Sequence, residues 1–140
     1  MVSLVYLATQ IRQGNRQIQE NTNALRAAAV HSSLTFTFNN RAATFSDAGT
    51  ADIYFRGMND FESLNELERD RFRLIITNVF DSFLNMYSQT KLTGFSPETW
   101  ISQEYIVKRV MSAEGGKWYW ENFRDAYPEN FQSEIRRISG

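Results

Sequence analysis

The side chains that could act as acids, bases or nucleophiles are few in this sequence. His31 is the single histidine, and no acidic residue lies near it in the chain, so we interpret it as structural or exposed rather than as a general base. There is no cysteine, which excludes disulfides, thiolate nucleophiles and cysteine-based zinc sites. A second histidine and a Glu-x-x-His spacing are also missing, so no metal-ligand set is present. The sequence predicts no catalytic residue, no metal site and no cofactor.

Three polar residues interrupt the most apolar stretch and form the one candidate for a binding site. Asn78 and Asn85 lie two turns apart on one face of a predicted helix, with Asp81 between them. If this face is exposed, water provides the hydrogen-bond partners of all three side chains. If it is buried, Asp81 needs a cation such as Arg41 or Arg124, because an unpaired buried charge is very costly. The cluster could also hold a small polar ligand, and the sequence leaves these alternatives open.

The aromatic run near the carboxyl end is the second group of interest. Trp118, Tyr119 and Trp120 are adjacent, so they cannot share one face of a helix. One or two of them should lie in the core. Trp118 or Trp120 could instead contact a protein partner or a membrane interface, where Trp and Tyr are enriched.

The overall charge bears on the class of partner. The formal net charge is −1 and the isoelectric point is about 5.8. Proteins that bind nucleic acid usually carry a strongly basic surface, so we do not expect a nucleic-acid partner.

Long stretches without helix breakers predict an all-α protein, because only two Pro and seven Gly occur in 140 residues. We expect an irregular helical bundle of about three long and three short helices. A Ser63–Glu66 capping box should open the second long helix, and Ser96 with Pro97 should open the third. The predicted helices cover residues 2–45, 51–56, 63–91 (with Gly94 just past the end), 96–114 (ended by Gly115 and Gly116), 117–127 and 128 onward.

The apolar pattern predicts which side chains form the core. The later part of the first helix should join it, although residues 32–38 alternate like a strand. Residues expected to face inward from the first helix are Leu25, Ala28, Ala29, Leu34, Phe36, Phe38 and Phe45. Those expected from the third long helix are Trp100, Ile101, Tyr105, Val107, Val110 and Met111, and those from the last helix are Phe131, Ile135 and Ile138.

The amino-terminal segment changes character within a few turns. Residues 2–8 are almost wholly apolar, whereas Arg12 and Arg16 follow in a polar stretch, as on the cytoplasmic flank of a membrane span. Apolar residues also recur every seven positions, at Leu4, Ile11, Ile18 and Leu25, which is half of a coiled-coil seam. We therefore divide the chain into residues 1–23, the end of a membrane anchor with a polar helical stalk, and residues 24–140, a helical bundle domain.

Several motifs resemble a family of small, functionally uncharacterised bacterial proteins. These proteins open with a transmembrane helix that ends in a stretch similar to "SLxYLAxQIRQNT", and a helical domain follows. The similar segments here are "VSLVYLATQIRQ" (2–13), "NALRAAA" (23–29), "YFRGM" (54–58), "LNELERDRFRLIITNVFDSF" (64–83) and "GGKWYWENFRDAYPENF" (115–131). The resemblance implies a natural chain with a membrane helix upstream of Val2. It also implies a domain on the cytoplasmic side of a bacterial inner membrane.

Together these features predict a membrane-tethered, non-enzymatic helical interaction or scaffold domain. Leu4, Leu7 and Ile11 are the expected contacts with membrane or partner, and residues 4–28 could pair with a second copy of the chain. The alternatives are a small-ligand-sensing bundle and an accessory subunit of a larger membrane protein complex.

Overall fold

The structure, a computed structural model, describes residues 2–92 and 96–140, and the described part is almost entirely helical. Six α-helices and two short 3₁₀ turns, but no strand, lie within these ranges, which confirms the predicted all-α bundle and the helical state of residues 32–38. Three helices are long and three are short. Their bounds are α1 Val2–Phe45, α2 Ala48–Asn59, α3 Glu66–Leu92, α4 Pro97–Ser112, α5 Glu114–Phe123 and α6 Glu129–Ser139, with 3₁₀ turns at Phe61–Ser63 and Arg124–Ala126.

Helix α3 begins two residues later than its predicted capping box. The Glu68 backbone N–H donates to Asn65 Oδ1 at 3.0 Å, and the Asn65 N–H donates to Glu68 Oε2 at 3.0 Å. Ser63 ends a 3₁₀ turn instead, and its hydroxyl donates to the Asp60 carbonyl. The capping box is thus Asn65–Glu68. As in a Ser–Glu box, two backbone N–H groups at the start of the helix find side-chain acceptors, but here the cap is an asparagine. At α4 the predicted cap is confirmed, because Ser96 Oγ accepts from the Glu98 N–H.

Glu68 also joins α3 to α2. Its carboxylate accepts from both terminal nitrogens of Arg56, at 2.6 and 3.2 Å, in a bidentate arrangement. The Arg56 hydrogen bonds, followed by the Asn65 backbone bond, lower the pKa of the Glu68 carboxyl to about 2. Glu68 therefore stays ionised over the whole physiological pH range.

Gly115 and Gly116 do not break a helix, as the sequence suggested, but form the first turn of α5. The break falls earlier, at the extended residue Ala113. Both glycines are buried, and a Cβ on Gly115 would lie 2.1 Å from the Gly57 carbonyl oxygen of α2. The two glycines thus allow close backbone packing rather than a turn. The other expected stop, Gly94, lies outside the described residues.

The core is an aromatic layer around α3. Phe72, Ile76 and Phe80 of this helix are completely buried. The Phe80 ring stacks on Tyr119 and Trp120 of α5 at centroid distances of 5.0 and 5.3 Å. Helix α6 closes the core with the three predicted residues, Phe131, Ile135 and Ile138, all buried.

The later part of α1 packs on the bundle as predicted, but through other side chains. It contacts α3 through Ser33, Thr37, Asn40 and Thr44, which are spaced by four, three and four residues and form one face from which Phe36 and Phe38 are excluded. Phe45 is half exposed and packs edge-on against Tyr54 of α2. The exposed residues, with their exposed fractions, are Leu25 71%, Leu34 53%, Phe36 40%, Phe38 69% and Phe45 49%.

Two inward-facing residues predicted for α4 are likewise exposed. Ile101 and Tyr105 lie on the outer face of that helix, whereas Trp100, Val107 and Val110 are buried as expected. Ile101 and Tyr105 are one turn apart at one edge of the predicted face, so the buried face is narrower than predicted on that side.

The first part of α1 lies clear of the other helices. Every described side chain from Ser3 to Ala28 is exposed except those at Gly14 and Thr22, and coverage begins at Ala29. This segment of α1 is roughly 40 Å long at the usual helical rise. The helix passes residue 23 without a break, so the division of the chain at that residue stays a prediction.

Candidate functional site

Asp81 lies at the edge of the core, where it ends a chain of hydroxyl groups. The Tyr127 hydroxyl donates to Asp81 Oδ1 at 3.3 Å, and the Tyr119 and Tyr127 hydroxyl oxygens are 2.8 Å apart. Because the Tyr127 proton points to the carboxylate, Tyr119 donates to Tyr127. Partial burial raises the pKa of Asp81, and the Tyr127 hydrogen bond opposes that shift.

No cation pairs with Asp81 among the described residues. Arg124 lies instead near Asp125, at 3.9 Å, and Arg41 lines a cavity on another face of α3. Asp81 is half-buried, so water and a phenol hydroxyl together replace the ion pair that full burial would have required.

Asn78 and Asn85 do not form a single site with Asp81. The Asn78 backbone carbonyl accepts from the Ser82 hydroxyl at 2.8 Å and from Asn40 Nδ2 of α1 at 3.5 Å. Asn85 Oδ1 accepts from Gln89 on its own helix. Asn78 thus lies at the α1–α3 contact, whereas Asp81 faces Tyr127, and the structure does not gather the three side chains around a common ligand.

Of the two tryptophans in the aromatic run, Trp120 is buried and Trp118 is half-buried. Trp120 is 5% exposed and stacks on Phe80, so packing accounts for its position. Trp118 is half-buried and stacks on Phe61 at 4.1 Å between centroids. Of the pair, only Trp118 presents part of its ring to a partner or a membrane.

The predicted contact residues at the start of α1 are strongly exposed. Leu4 is 70%, Leu7 54% and Ile11 63% accessible. Val5 and Tyr6 are exposed as well, so four consecutive apolar residues surround the helix on all sides. No helix among the described residues contains an apolar stretch long enough to cross a bilayer.

A cavity that the sequence did not predict lies between α1, α3 and α4. It encloses about 120 Å³ and is lined by Asn78 and Ser82 of α3, by Thr37 and Arg41 of α1, and by Tyr54 of α2. The signal that could have revealed it is the row of small polar residues on α1, which cannot fill the space that a Leu or Phe row would fill.

The described residues show neither an assembled metal site nor a partner for His31. No three acidic or histidine side chains come close enough together to hold a metal ion in the ranges 2–92 and 96–140. His31 is exposed on α1, away from the cavity lining.

Comparison of this chain with models of protein families, with curated proteins and with solved structures finds no match. The features that bear on function are therefore those of the chain itself. They are the exposed apolar residues of α1, the cavity beside its later part and the tyrosine–aspartate chain at the core edge.

Proposed function

We propose that this protein is a non-enzymatic interaction domain, tethered to a bacterial inner membrane on its cytoplasmic side, and that two copies associate through the first part of α1. The observation that carries the proposal is the exposed row Leu4, Ile11, Ile18 and Leu25, on the part of α1 that no other described helix covers. The exposed fractions of these side chains range from 63% to 71%.

Self-association accounts for a helix that would otherwise be marginal. An isolated helix in water is barely stable even at lengths of 12–15 residues with favourable composition, and most helices in proteins are held by packing. The side chains of residues 3–28 receive almost no such packing from their own bundle. Their apolar residues recur every seven positions, and the flanking positions Gln10, Asn15 and Gln17 are uncharged, so a second copy could pair without charge repulsion.

Membrane attachment accounts for the apolar tip, which a helical partner could not cover. Residues 4–7 project in four directions at 100° intervals, whereas a paired helix shields one side only. Lipid surrounds a helix completely. Arg12 and Arg16 then lie where basic residues flank the cytoplasmic end of a membrane span. We infer that in the natural protein α1 continues a membrane helix upstream of Val2, as the family resemblance implies.

The self-association is tested by a pair of matched double variants. We expect sedimentation analysis of the wild-type chain to give a mass above the 16.3 kDa monomer. Ile11→Glu/Ile18→Glu should restore the monomer, because four carboxylates would meet in the seam. Gln13→Glu/Asn23→Glu adds the same charge on the opposite side of the helix and should leave the mass unchanged. A wild-type monomer at the highest soluble concentration, or equal masses for the two variants, would contradict the pairing.

The attachment is tested on the protein expressed from its own gene. Cell fractions should contain it in membranes that have been washed with alkaline carbonate, a treatment that removes peripheral proteins. Recovery in the soluble fraction would remove the membrane part of the proposal without touching the self-association.

A second candidate, an accessory subunit of a larger membrane complex, is favoured by exposed apolar residues outside α1. Leu67 and Leu74 are 69% and 62% exposed and lie two turns apart on α3. A pull-down of the full-length protein from its native membrane discriminates the candidates. Recovery of one other protein in stoichiometric amount supports the subunit, whereas recovery of the bait alone supports the self-associating domain.

A further inference from the structure

The cavity between α1, α3 and α4 has an apolar interior. Seven apolar side chains line it, namely Phe45, Ile75, Val79, Phe83, Met86, Ile106 and Val110. It is partly open to solvent, so a small molecule could enter without separating the helices. Its volume of about 120 Å³ is comparable to that of engineered protein cavities that bind benzene, which are about 150 Å³.

One polar group in the lining lacks a partner. Thr37 Oγ1 is inaccessible to solvent and forms no hydrogen bond. A buried hydroxyl without a partner costs about 1–3 kcal/mol, so native proteins seldom leave one. Because this oxygen is closed off from the cavity space, the Thr37 side chain would have to rotate to bring its hydroxyl to a ligand oxygen there.

The cavity lining contains one positively charged side chain and no negatively charged one. Arg41 of α1 belongs to the lining, and Arg109 of α4 is the neighbour of Val110, which also lines the cavity. Neither guanidinium group forms an ion pair within the described part of the chain, and no Asp or Glu belongs to the lining. Both groups act on the Tyr54 phenol, where their charges oppose the rise in pKa caused by burial. Arg41 is therefore an unpaired cation in the lining, and Arg109 adds positive charge near Tyr54, which also lines the cavity.

We propose that this cavity binds a small monocarboxylate, with an apolar body of about six carbon atoms between α1, α3 and α4 and its carboxylate at Arg41. The apolar interior and the cavity volume set the body of the ligand. The unpaired guanidinium groups and the absence of acids set its charge. The site is separate from the hydrogen bonds that join Asp81, Tyr127 and Tyr119, and from the exposed row of α1, so it does not depend on tethering or self-association.

Calorimetric titration of the full chain with hexanoate and benzoate tests the proposal. We expect saturable binding of one ligand per chain with a dissociation constant of about 1 mM or lower. Two controls remove one feature each, because hexan-1-ol lacks the charge and acetate lacks the apolar body, and both should bind at least about tenfold more weakly. Absence of saturable binding by hexanoate and by benzoate would overturn the proposal.

Matched variants locate the site. Arg41→Gln should weaken binding about tenfold, whereas Arg12→Gln, at an exposed arginine of the same helix, should leave it unchanged. Val79→Phe should abolish binding by filling the cavity. Two-dimensional NMR spectra of the backbone amides should show that each variant stays folded. The assigned site would be contradicted by equal affinities of Arg41→Gln and Arg12→Gln for the ligand. It would also be contradicted if the ligand left the NMR chemical shifts of Ile75, Val79 and Ile106 unchanged.

Discussion

At the scale of single residues, Asp81 shows how an acid at a core edge is satisfied without a cation. Its carboxylate accepts from Tyr127, which in turn accepts from Tyr119. Burial raises the pKa of Asp81 in the folded chain above its usual value, so ionisation of this group opposes folding. This loss of stability is absent below the pKa of an aspartate in the unfolded chain, about 3.9. It grows as the pH rises through the higher pKa of Asp81 in the folded chain.

Asp81→Asn should therefore increase the free energy of unfolding at neutral pH. The amide oxygen can still accept from Tyr127, and the cost of the partly buried charge disappears. Urea unfolding measured at pH 7 and again near pH 3 checks this expectation. The stabilising difference between variant and wild type should be present at pH 7 and vanish near pH 3. A variant that is less stable than the wild type at pH 7 would show that the charge itself supports the tyrosine chain.

At the scale of elements, the packing of α2 against α3 and α5 depends on the absence of two side chains. A Cβ on Gly57 would lie 2.1 Å from Phe72 Cδ2, and one on Gly115 would lie equally close to the Gly57 carbonyl oxygen. The first clash is with a ring, but the second is with a backbone atom that cannot rotate away. The two helices would have to separate to admit the methyl group of an alanine at 115.

Gly115→Ala should lower the free energy of unfolding by about 3 kcal/mol, the upper end of the cost of overpacking. Gly14→Ala is the matched control, because a Cβ at that position meets nothing within 4 Å and alanine favours a helix. Thermal unfolding followed by circular dichroism should give a lowered midpoint for the first variant and no loss for the second. Equal midpoints would mean that the backbones are not in close contact.

At the scale of the whole molecule, α1 combines two environments in one unbroken helix. From Ala29 onward it packs on α3, whereas the preceding segment is exposed. Amide hydrogens exchange slowly where tertiary contacts hold a helix and rapidly where a helix frays.

Hydrogen exchange should consequently separate the two parts of α1 according to assembly. In Ile11→Glu/Ile18→Glu, the amides of residues 3–28 should exchange far faster than those of α3 around Phe80. In the wild type they should be protected at concentrations where two copies pair. Strong protection of this segment in a monomer would mean that the helix is stable by itself, and the main physical reason for pairing would be lost.

The sequence by itself determined the helical class, most helix bounds and the buried face of α6. These follow from local rules: few helix breakers, capping residues such as Ser96, and the spacing of Phe131, Ile135 and Ile138. The sequence also identified the apolar start of α1, because an alternation of apolar and basic segments is visible without any contact. Its membrane role and its partner stay proposals.

Only the tertiary structure decided which face of α1 packs inward. Side-chain size favoured Phe36 and Phe38, but the surface of α3 around Asn78 and Ser82 receives a row of small polar residues instead. The same choice left the cavity beside Arg41, and the packing of the carboxyl-terminal segment placed the Asp81 carboxylate against a phenol rather than a guanidinium. Each of these depends on residues from separate helices that meet only when the bundle forms, and periodicity along one helix contains no information about the surface that it will meet.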